Sequence, residues 1–153
     1  MFILFGVFFF YVKLTFLGTN GWFSTRDSQT ACVMLETRER IMLFDAGSGL
    51  HRLAGKSFNK PLTIFISHLH LDHTVGLHAL PSIDFPSVEI VSSKKNLECL
   101  RTLVSPPYAG ITSSEHLKGK LAFSTAASFG SEDFDLNHNV PDSGWSIFLE
   151  GKK

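Results

Sequence analysis

The feature that most constrains the fold is a continuous apolar run that ends directly in a cluster of histidines. Residues 61–67 have the sequence PLTIFIS, and His68, His70, Asp72 and His73 follow within six positions. An apolar run bounded by proline and polar residues, without polar alternation, is typical of a strand buried on both faces. Such a strand needs packed layers above and below its sheet. The run therefore indicates a layered α/β chain.

The rest of the chain supplies elements for those layers. At 153 residues it is long enough for one compact domain. Apolar alternation and turn residues predict strands at 13–17, 30–36, 41–44, 88–91, 120–124, 134–136 and 145–150, with 30–44 forming a hairpin. Helices are predicted from Ser48 to Gly55, at 74–80 before Pro81, and after Ser93 as an N-cap. Together these predict an α/β sheet covered by helices.

Composition is unlike that of a disordered chain and gives no global charge that would indicate a partner. Hydrophobic residues make up 44% and charged residues 18%, which is unlike a disordered chain. Fourteen basic residues balance fourteen acidic ones, so no global field favours nucleic acid or an anionic membrane, although a local basic patch could hold a phosphate. Cys32 and Cys99 lack a CxxC spacing and are expected to be buried, reduced thiols, with a disulfide between them left open. A cytoplasmic location is expected.

The first twelve residues, MFILFGVFFFYV, form an apolar extension ahead of the domain predicted at 13–153. The extension is shorter than the roughly 20 residues of a membrane-spanning helix, and it lacks the basic start and cleavage site of a signal peptide. One hypothesis is that Val12 marks the true start and that residues 1–11 come from a misassigned one. A membrane anchor is the alternative, but no membrane partner is expected.

The histidine cluster predicts a metal site. In an extended segment, residues two apart point the same way, so His68 and His70 can present imidazoles to one ion. If the chain then turns, Asp72 and His73 can bind a second ion or orient water beside the first. Nitrogen and carboxylate ligands suit zinc, and also iron or manganese. The alternative is a loop that is merely polar.

Four segments carry a resemblance to a known family. SHLHLDHTVGL at 67–77 resembles the HxHxDH signature of the metallo-β-lactamase superfamily. TFLGTNG at 15–21 and FDAGSG at 44–49 resemble ribonuclease Z and its short metal-dependent hydrolase relatives, and HNVPDSGW at 138–145 resembles the segment that carries their next ligand. The resemblance implies the N-terminal part of an αββα sandwich.

The same resemblance implies a two-zinc site. His68, His70 and His138 would bind the first zinc, and Asp72 and His73 the second. Asp72 would also hold and deprotonate the attacking water. Asp45 would hold a ligand imidazole by a hydrogen bond. From the residues alone, Asp45 could equally cap the helix at Ser48 or form an Asx turn.

The family pattern is incomplete in this chain. It requires a bridging aspartate and a final histidine, and neither Asp142 nor Glu150 fits the bridging role by position. The chain is therefore expected to be a truncated form, with an apolar face left uncovered. His51, His78 and His116 have no partner at ligand spacing and are expected to have structural or solvent roles.

The implied activity is hydrolysis of a phosphodiester by metal-activated water in the complete enzyme, as in ribonuclease Z. The substrate would be the 3′ end of a transfer RNA or a smaller phosphodiester. The alternatives are a carbonyl ester, lactone or thioester hydrolase, a non-catalytic metal-binding fragment, and mononuclear iron chemistry. A homodimer is left open.

Overall fold

The computed structural model describes residues 11–129 and 131–147. Its strands are β1 (Lys13–Gly18), β2 (Cys32–Glu36), β3 (Ile41–Phe44), β4 (Leu62–Ile66), β5 (Val88–Ser92), β6 (Leu121–Ser124), β7 (Glu132–Asp135) and β8 (Ser143–Ser146). Its α-helices are α1 (Leu71–Thr74) and α2 (Lys94–Leu103). Short 3₁₀ helices occupy Ser48–Leu53, Val75–Ser82, Glu115–Leu117 and Ala126–Phe129.

Six strands form one mixed sheet in the order β1-β2-β3-β4-β5-β6. The first three strands pair antiparallel, and β3 to β6 pair parallel. Parallel neighbours need crossover connections, which the short helices provide. The carboxyl ends of β3, β4 and β5 consequently meet at one edge, and the histidine cluster follows β4 at that edge. Strands β7 and β8 form a separate antiparallel ribbon.

Strand β4 is buried on both faces, as its apolar sequence predicts. Ile64 and Ile66 join the larger core cluster on one face of the sheet. Phe65 belongs to a second cluster on the other face, where its ring lies 5.3 Å from Phe129 and 5.4 Å from Trp145, centroid to centroid. Because Trp145 is on β8, the ribbon is docked on this second face.

That second face is covered unevenly. Leu14 and Phe16 on β1 are 53% and 61% exposed, whereas Met42, Phe65 and Val91 nearer the centre are buried. The apolar face that was expected to be uncovered is thus exposed at β1 and covered over β3 to β5.

Several local predictions were wrong. The helix predicted at 74–80 is a turn of α-helix followed by a 3₁₀ helix that contains Pro81. The 3₁₀ pattern continues past the proline because Ile83 N–H donates to the carbonyl of Leu80. Ser93 does occupy the N-cap position of α2, as predicted, but its hydroxyl makes no capping hydrogen bond. Cys99 is exposed, whereas Cys32 is buried and both thiols are free.

Other differences concern element ends. The segment from Ser48 is a 3₁₀ helix rather than an α-helix. The strand predicted at 134–136 lies at Glu132–Asp135, and the described part of the last strand is Ser143–Ser146. Residues 148–150 of that prediction, and the predictions for residues 1–10, lie outside the described residues. Within the described ranges, every helix is too short or too polar to cross a bilayer.

Candidate metal centre

The centre begins where β4 ends. His68 and His70 occupy an extended connection before α1, and His70 has extended backbone angles of φ −61° and ψ 146°. Nε2 of His68 lies 3.1 Å from Nδ1 of His70, so the two imidazoles converge as alternation predicts. His68 is only 5% exposed, so this side of the centre is packed against the protein interior.

His138 reaches the same place from the connection between β7 and β8. The ligand nitrogens of His68, His70 and His138 all lie within 4.8 Å of one another. The backbone N–H of Ser143 donates to the carbonyl of Ser67 at 3.1 Å and anchors this connection beside the end of β4. Three converging imidazoles form a donor set that can hold one divalent transition-metal ion.

Asp45 links the end of β3 to the histidine cluster. Its backbone has φ +59°, a left-handed conformation that aspartate tolerates better than most residues. Its carboxylate accepts hydrogen bonds from the backbone N–H of Ser67 at 2.9 Å and from Nδ1 of His73 at 2.7 Å. The Ser67 hydroxyl also lies 2.9 Å and 3.0 Å from the two carboxylate oxygens.

These hydrogen bonds determine which imidazole nitrogens carry protons. The single hydroxyl proton of Ser67 goes to Asp45, so the Ser67 oxygen accepts from Nδ1–H of His68 at 3.0 Å. His73 likewise donates Nδ1–H to Asp45. Both histidines therefore keep Nε2 as the nitrogen that can bind a metal, and Asp45 orients both rings.

Asp72 and His73 form a second donor pair beside the first. Oδ2 of Asp72 lies 3.3 Å from Nε2 of His73, and it accepts the backbone N–H of Trp22 at 3.0 Å. With Nδ1–H committed to Asp45, this carboxylate oxygen and this nitrogen face each other as two acceptors. Such a contact needs a proton or a metal ion between the two atoms, which fits a cation site.

The electrostatics of His68, which is buried, and His73, which is half-buried, differ. Burial lowers the pKa of His68, and the neighbouring His73 lowers it further. Burial also lowers the pKa of His73, but the hydrogen bond and negative charge of Asp45, with Asp72 adding to them, outweigh burial and raise it. Without a metal, His73 is therefore the ring that holds a proton more readily.

Asp142 also lies at the centre, although its position in the sequence did not assign it there. Its side chain is 11% exposed, and Oδ1 lies 3.5 Å from Nδ1 of His68. Oδ2 lies 3.9 Å from Nδ1 of His138. Among the described residues, Oδ1 of Asp142 is buried without a hydrogen bond. A buried carboxylate oxygen in that state favours a nearby cation. The sequence feature that could have indicated Asp142 is its position four residues after His138.

Two glycines hold the turn that carries Asp72 and His73 against the segment that follows β3. Gly76 N–H donates to the carbonyl of Ala46 at 2.8 Å. A Cβ on Gly76 would lie 2.0 Å from the carbonyl oxygen of Gly47, and one on Gly47 would lie 2.2 Å from that of Asp72. Only glycine permits this approach, which brings Asp72 and His73 to Asp45.

The resulting cavity has a volume of about 460 Å³. It is lined by Trp22, His68, His70, Leu71, Asp72, His73, His138 and Asn139. Trp22 is 89% exposed and has φ +46°, an uncommon conformation for a bulky residue. Trp22 and Asn139 are cavity residues that sequence reasoning missed, since neither carries a ligand pattern.

Comparison with known proteins gives three related findings. The family model described as "Anti-Pycsar protein Apyc1" matches residues 12–104, a stretch that includes His68 to His73 but not His138. Ribonuclease Z of Natronomonas pharaonis is 30% identical over 156 residues, covering 93% of this chain and 49% of that protein. This chain spans between 22% and 49% of the length of eight ribonuclease Z relatives that it matches.

Two solved structures are similar in fold. Human tRNase Z, short form, aligns with a TM-score of 0.61 at 21% identity, covering 90% of this chain and 64% of that one. The metallo-β-lactamase fold protein YhfI from Bacillus subtilis aligns with a TM-score of 0.61 at 15% identity, covering 88% and 57%. The predicted metallo-β-lactamase-like α/β fold is confirmed.

Proposed function

We propose a function from one premise: this chain belongs to the family described as anti-Pycsar protein Apyc1, and it is a ribonuclease Z-like protein of the metallo-β-lactamase fold. The complete protein would be a metal-dependent hydrolase of phosphodiesters. The observation that carries this proposal is the convergence of His68, His70 and His138 beside the Asp72–His73 pair.

The proposed ligand roles follow the donor geometry. His68, His70 and His138 would hold one zinc ion, and Asp72 with His73 would contribute to a second, with iron or manganese as the alternative metals. Asp45 would position two of the ligand rings, since it binds His73 directly and His68 through Ser67. Divalent metal ions supply Lewis-acid activation of water and neutralise negative charge that develops on the substrate.

Asp72 is the proposed general base. Its carboxylate lines the cavity, and the backbone N–H of Trp22 fixes one of its oxygens at 3.0 Å. A carboxylate held in this way can position a water molecule and take its proton. Asp72 would thus combine ligation with proton transfer.

The cavity indicates the size and chemistry of the substrate. A volume of about 460 Å³ suits a small ligand or a single nucleotide unit at a chain end. The exposed Trp22 indole at this cavity can stack against a nucleobase, because every base presents a π face. We therefore favour the terminal unit of an RNA, or a small nucleotidic phosphodiester, as the substrate over an extended RNA duplex.

The test compares metal binding and turnover in the same preparation. The complete protein loaded with zinc is expected to hydrolyse bis(p-nitrophenyl) phosphate, and His68→Ala and His70→Ala are expected to bind fewer zinc equivalents and to lose turnover. His116→Gln is the matched control, since His116 lies outside the cavity. Turnover of p-nitrophenyl acetate or a lactone without phosphodiester cleavage would instead support the carbonyl hydrolase. Bound zinc without any turnover would support the non-catalytic fragment.

A cytoplasmic location is part of the proposal, because Cys32 and Cys99 are both free thiols. Fractionation of cells with an antibody to the chain would test it. Sedimentation of the purified chain would test the homodimer that the sequence left open.

A further inference from the structure

A second pair of histidines meets outside the metal centre. His51 lies on the 3₁₀ helix Ser48–Leu53, and His78 lies on the 3₁₀ helix Val75–Ser82. Their Nε2 atoms are 3.2 Å apart, with ring centroids 4.6 Å apart and an interplanar angle of 72°. Both side chains are exposed, and neither lines the cavity of the metal centre.

The tautomer of His78 is set by its own helix. Its Nδ1 donates to the carbonyl oxygen of Val75, so Nε2 carries the lone pair and points towards His51. Burial and the nearby His78 lower the pKa of His51, which keeps that ring neutral near pH 7. Two imidazoles whose Nε2 atoms face each other can share one cation through those two nitrogens.

The separation of the two nitrogens fits a shared ion. Metal–nitrogen bonds of about 2.0–2.1 Å at a tetrahedral angle put two imidazole nitrogens about 3.3 Å apart. The observed 3.2 Å is close to that value before any ligand movement. A carbonyl oxygen that accepts the N–H on the far side of the ring, as that of Val75 does for His78, is also the usual way to orient a metal-binding histidine.

The two helices hold this geometry in place. Leu50 and Leu53 on the first helix and Leu77 and Leu80 on the second are buried in the main core. The backbone N–H of Gly55 donates to the carbonyl of Ser82 at 2.8 Å and ties the helix ends together. The pair therefore sits on a packed scaffold rather than on free loops.

We propose that His51 and His78 form a separate, solvent-facing site for a divalent first-row transition-metal ion such as Zn²⁺. Two imidazole ligands exclude Mg²⁺ and Ca²⁺ as the preferred ions, because those cations require oxygen ligands. The exposure of both rings leaves the remaining coordination positions to water. The rival interpretation is a plain imidazole–imidazole hydrogen bond, which at an exposed position contributes little to stability.

The experiment counts Zn²⁺ equivalents by competition with a chromophoric chelator at pH 7.5. His51→Gln and His78→Gln are each expected to bind one equivalent fewer than the parent chain. His116→Gln is the matched control, because His116 is also partly exposed but its ring contacts the Ile83 carbonyl and Asp84, not a second histidine, among the described residues. Equal stoichiometry in all four proteins would overturn the proposal.

A second measurement separates this site from the proposed catalytic centre. In a His68→Ala/His70→Ala variant, Zn²⁺ is still expected to shift the imidazole proton resonances of His51 and His78, whereas Mg²⁺ is not. If that variant does not fold, the same resonances are followed in the parent chain. Unchanged His51 and His78 signals at saturating Zn²⁺ would then contradict the proposal. The result does not depend on turnover, so either site can fail without the other.

Discussion

The carboxylate of Asp45 accepts a hydrogen bond from Nδ1 of His73 at 2.7 Å across 28 residues of sequence. Asp45 directly follows β3, and His73 lies in the α1 turn after β4, so the bond joins the ends of two parallel strands at one edge of the sheet. Through Ser67 the same carboxylate also orients His68. One side chain thereby leaves the Nε2 atoms of two imidazoles free to accept a cation.

Replacement of Asp45 by Asn should weaken metal binding without breaking the backbone, because asparagine also tolerates the φ of +59°. The loss of the charged acceptor is expected to reduce zinc affinity about 10- to 100-fold. Zinc affinity is measured by competition titration. Asp84→Asn is the control, because the Asp84 carboxylate is exposed and contacts Lys120. The metal-free variant should also lose the raised pKa of His73, measured by NMR titration.

Trp22→Ala should separate the stacking role of the indole from the backbone N–H that holds Asp72, since the backbone donor is kept. Stacking worth about 1–3 kcal/mol per base predicts a rise in KM of about 5- to 150-fold for a nucleotidic phosphodiester. The kcat for bis(p-nitrophenyl) phosphate should change less than this KM does. Trp22→Phe should retain most of the affinity. An equal loss in the Phe and Ala variants would argue against stacking.

Gly76→Ala should destabilise the fold and displace the metal-binding turn. The new Cβ would lie 2.0 Å from the backbone oxygen of Gly47, where no flexible side chain can yield. A loss of about 1–3 kcal/mol in the free energy of unfolding is expected by urea denaturation. Gly21→Ala is the control, because a Cβ there meets nothing within 4 Å. Equal stability of the two variants would contradict the structure.

The stability of the chain should fall at alkaline pH because of Cys32. Burial, with a contribution from the charge of Asp45, raises the pKa of the thiol from 9.0 to about 12. The unfolded thiol ionises first, so this contribution is intact below pH 9.0 and is lost as pH rises towards about 12. The loss is of order 4 kcal/mol. Urea denaturation of Cys32→Ala should show a shallower decline over this interval.

Local patterns in the sequence were sufficient to predict the strands that carry the candidate site and the convergence of its first two histidines. The run Leu62–Ile66 is apolar at every position except Thr63, and such a strand is stable only between two layers. The alternation of His68 and His70 after it fixed their common direction. These properties depend on neighbouring residues along the chain, so they could be inferred without any knowledge of distant contacts.

The tertiary structure decided what distant segments contribute. His138 was expected from a resemblance, but Asp142, Trp22 and the link through Ser67 emerge only when β8 and the β1–β2 connection close over the end of β4. His51 and His78, 27 residues apart, were expected to lack partners and instead meet at 3.2 Å. The turn after His70 became 3₁₀ where Gly76 packs on Gly47. Such contacts are set by how helices and strands pack in space, a property that no local pattern encodes.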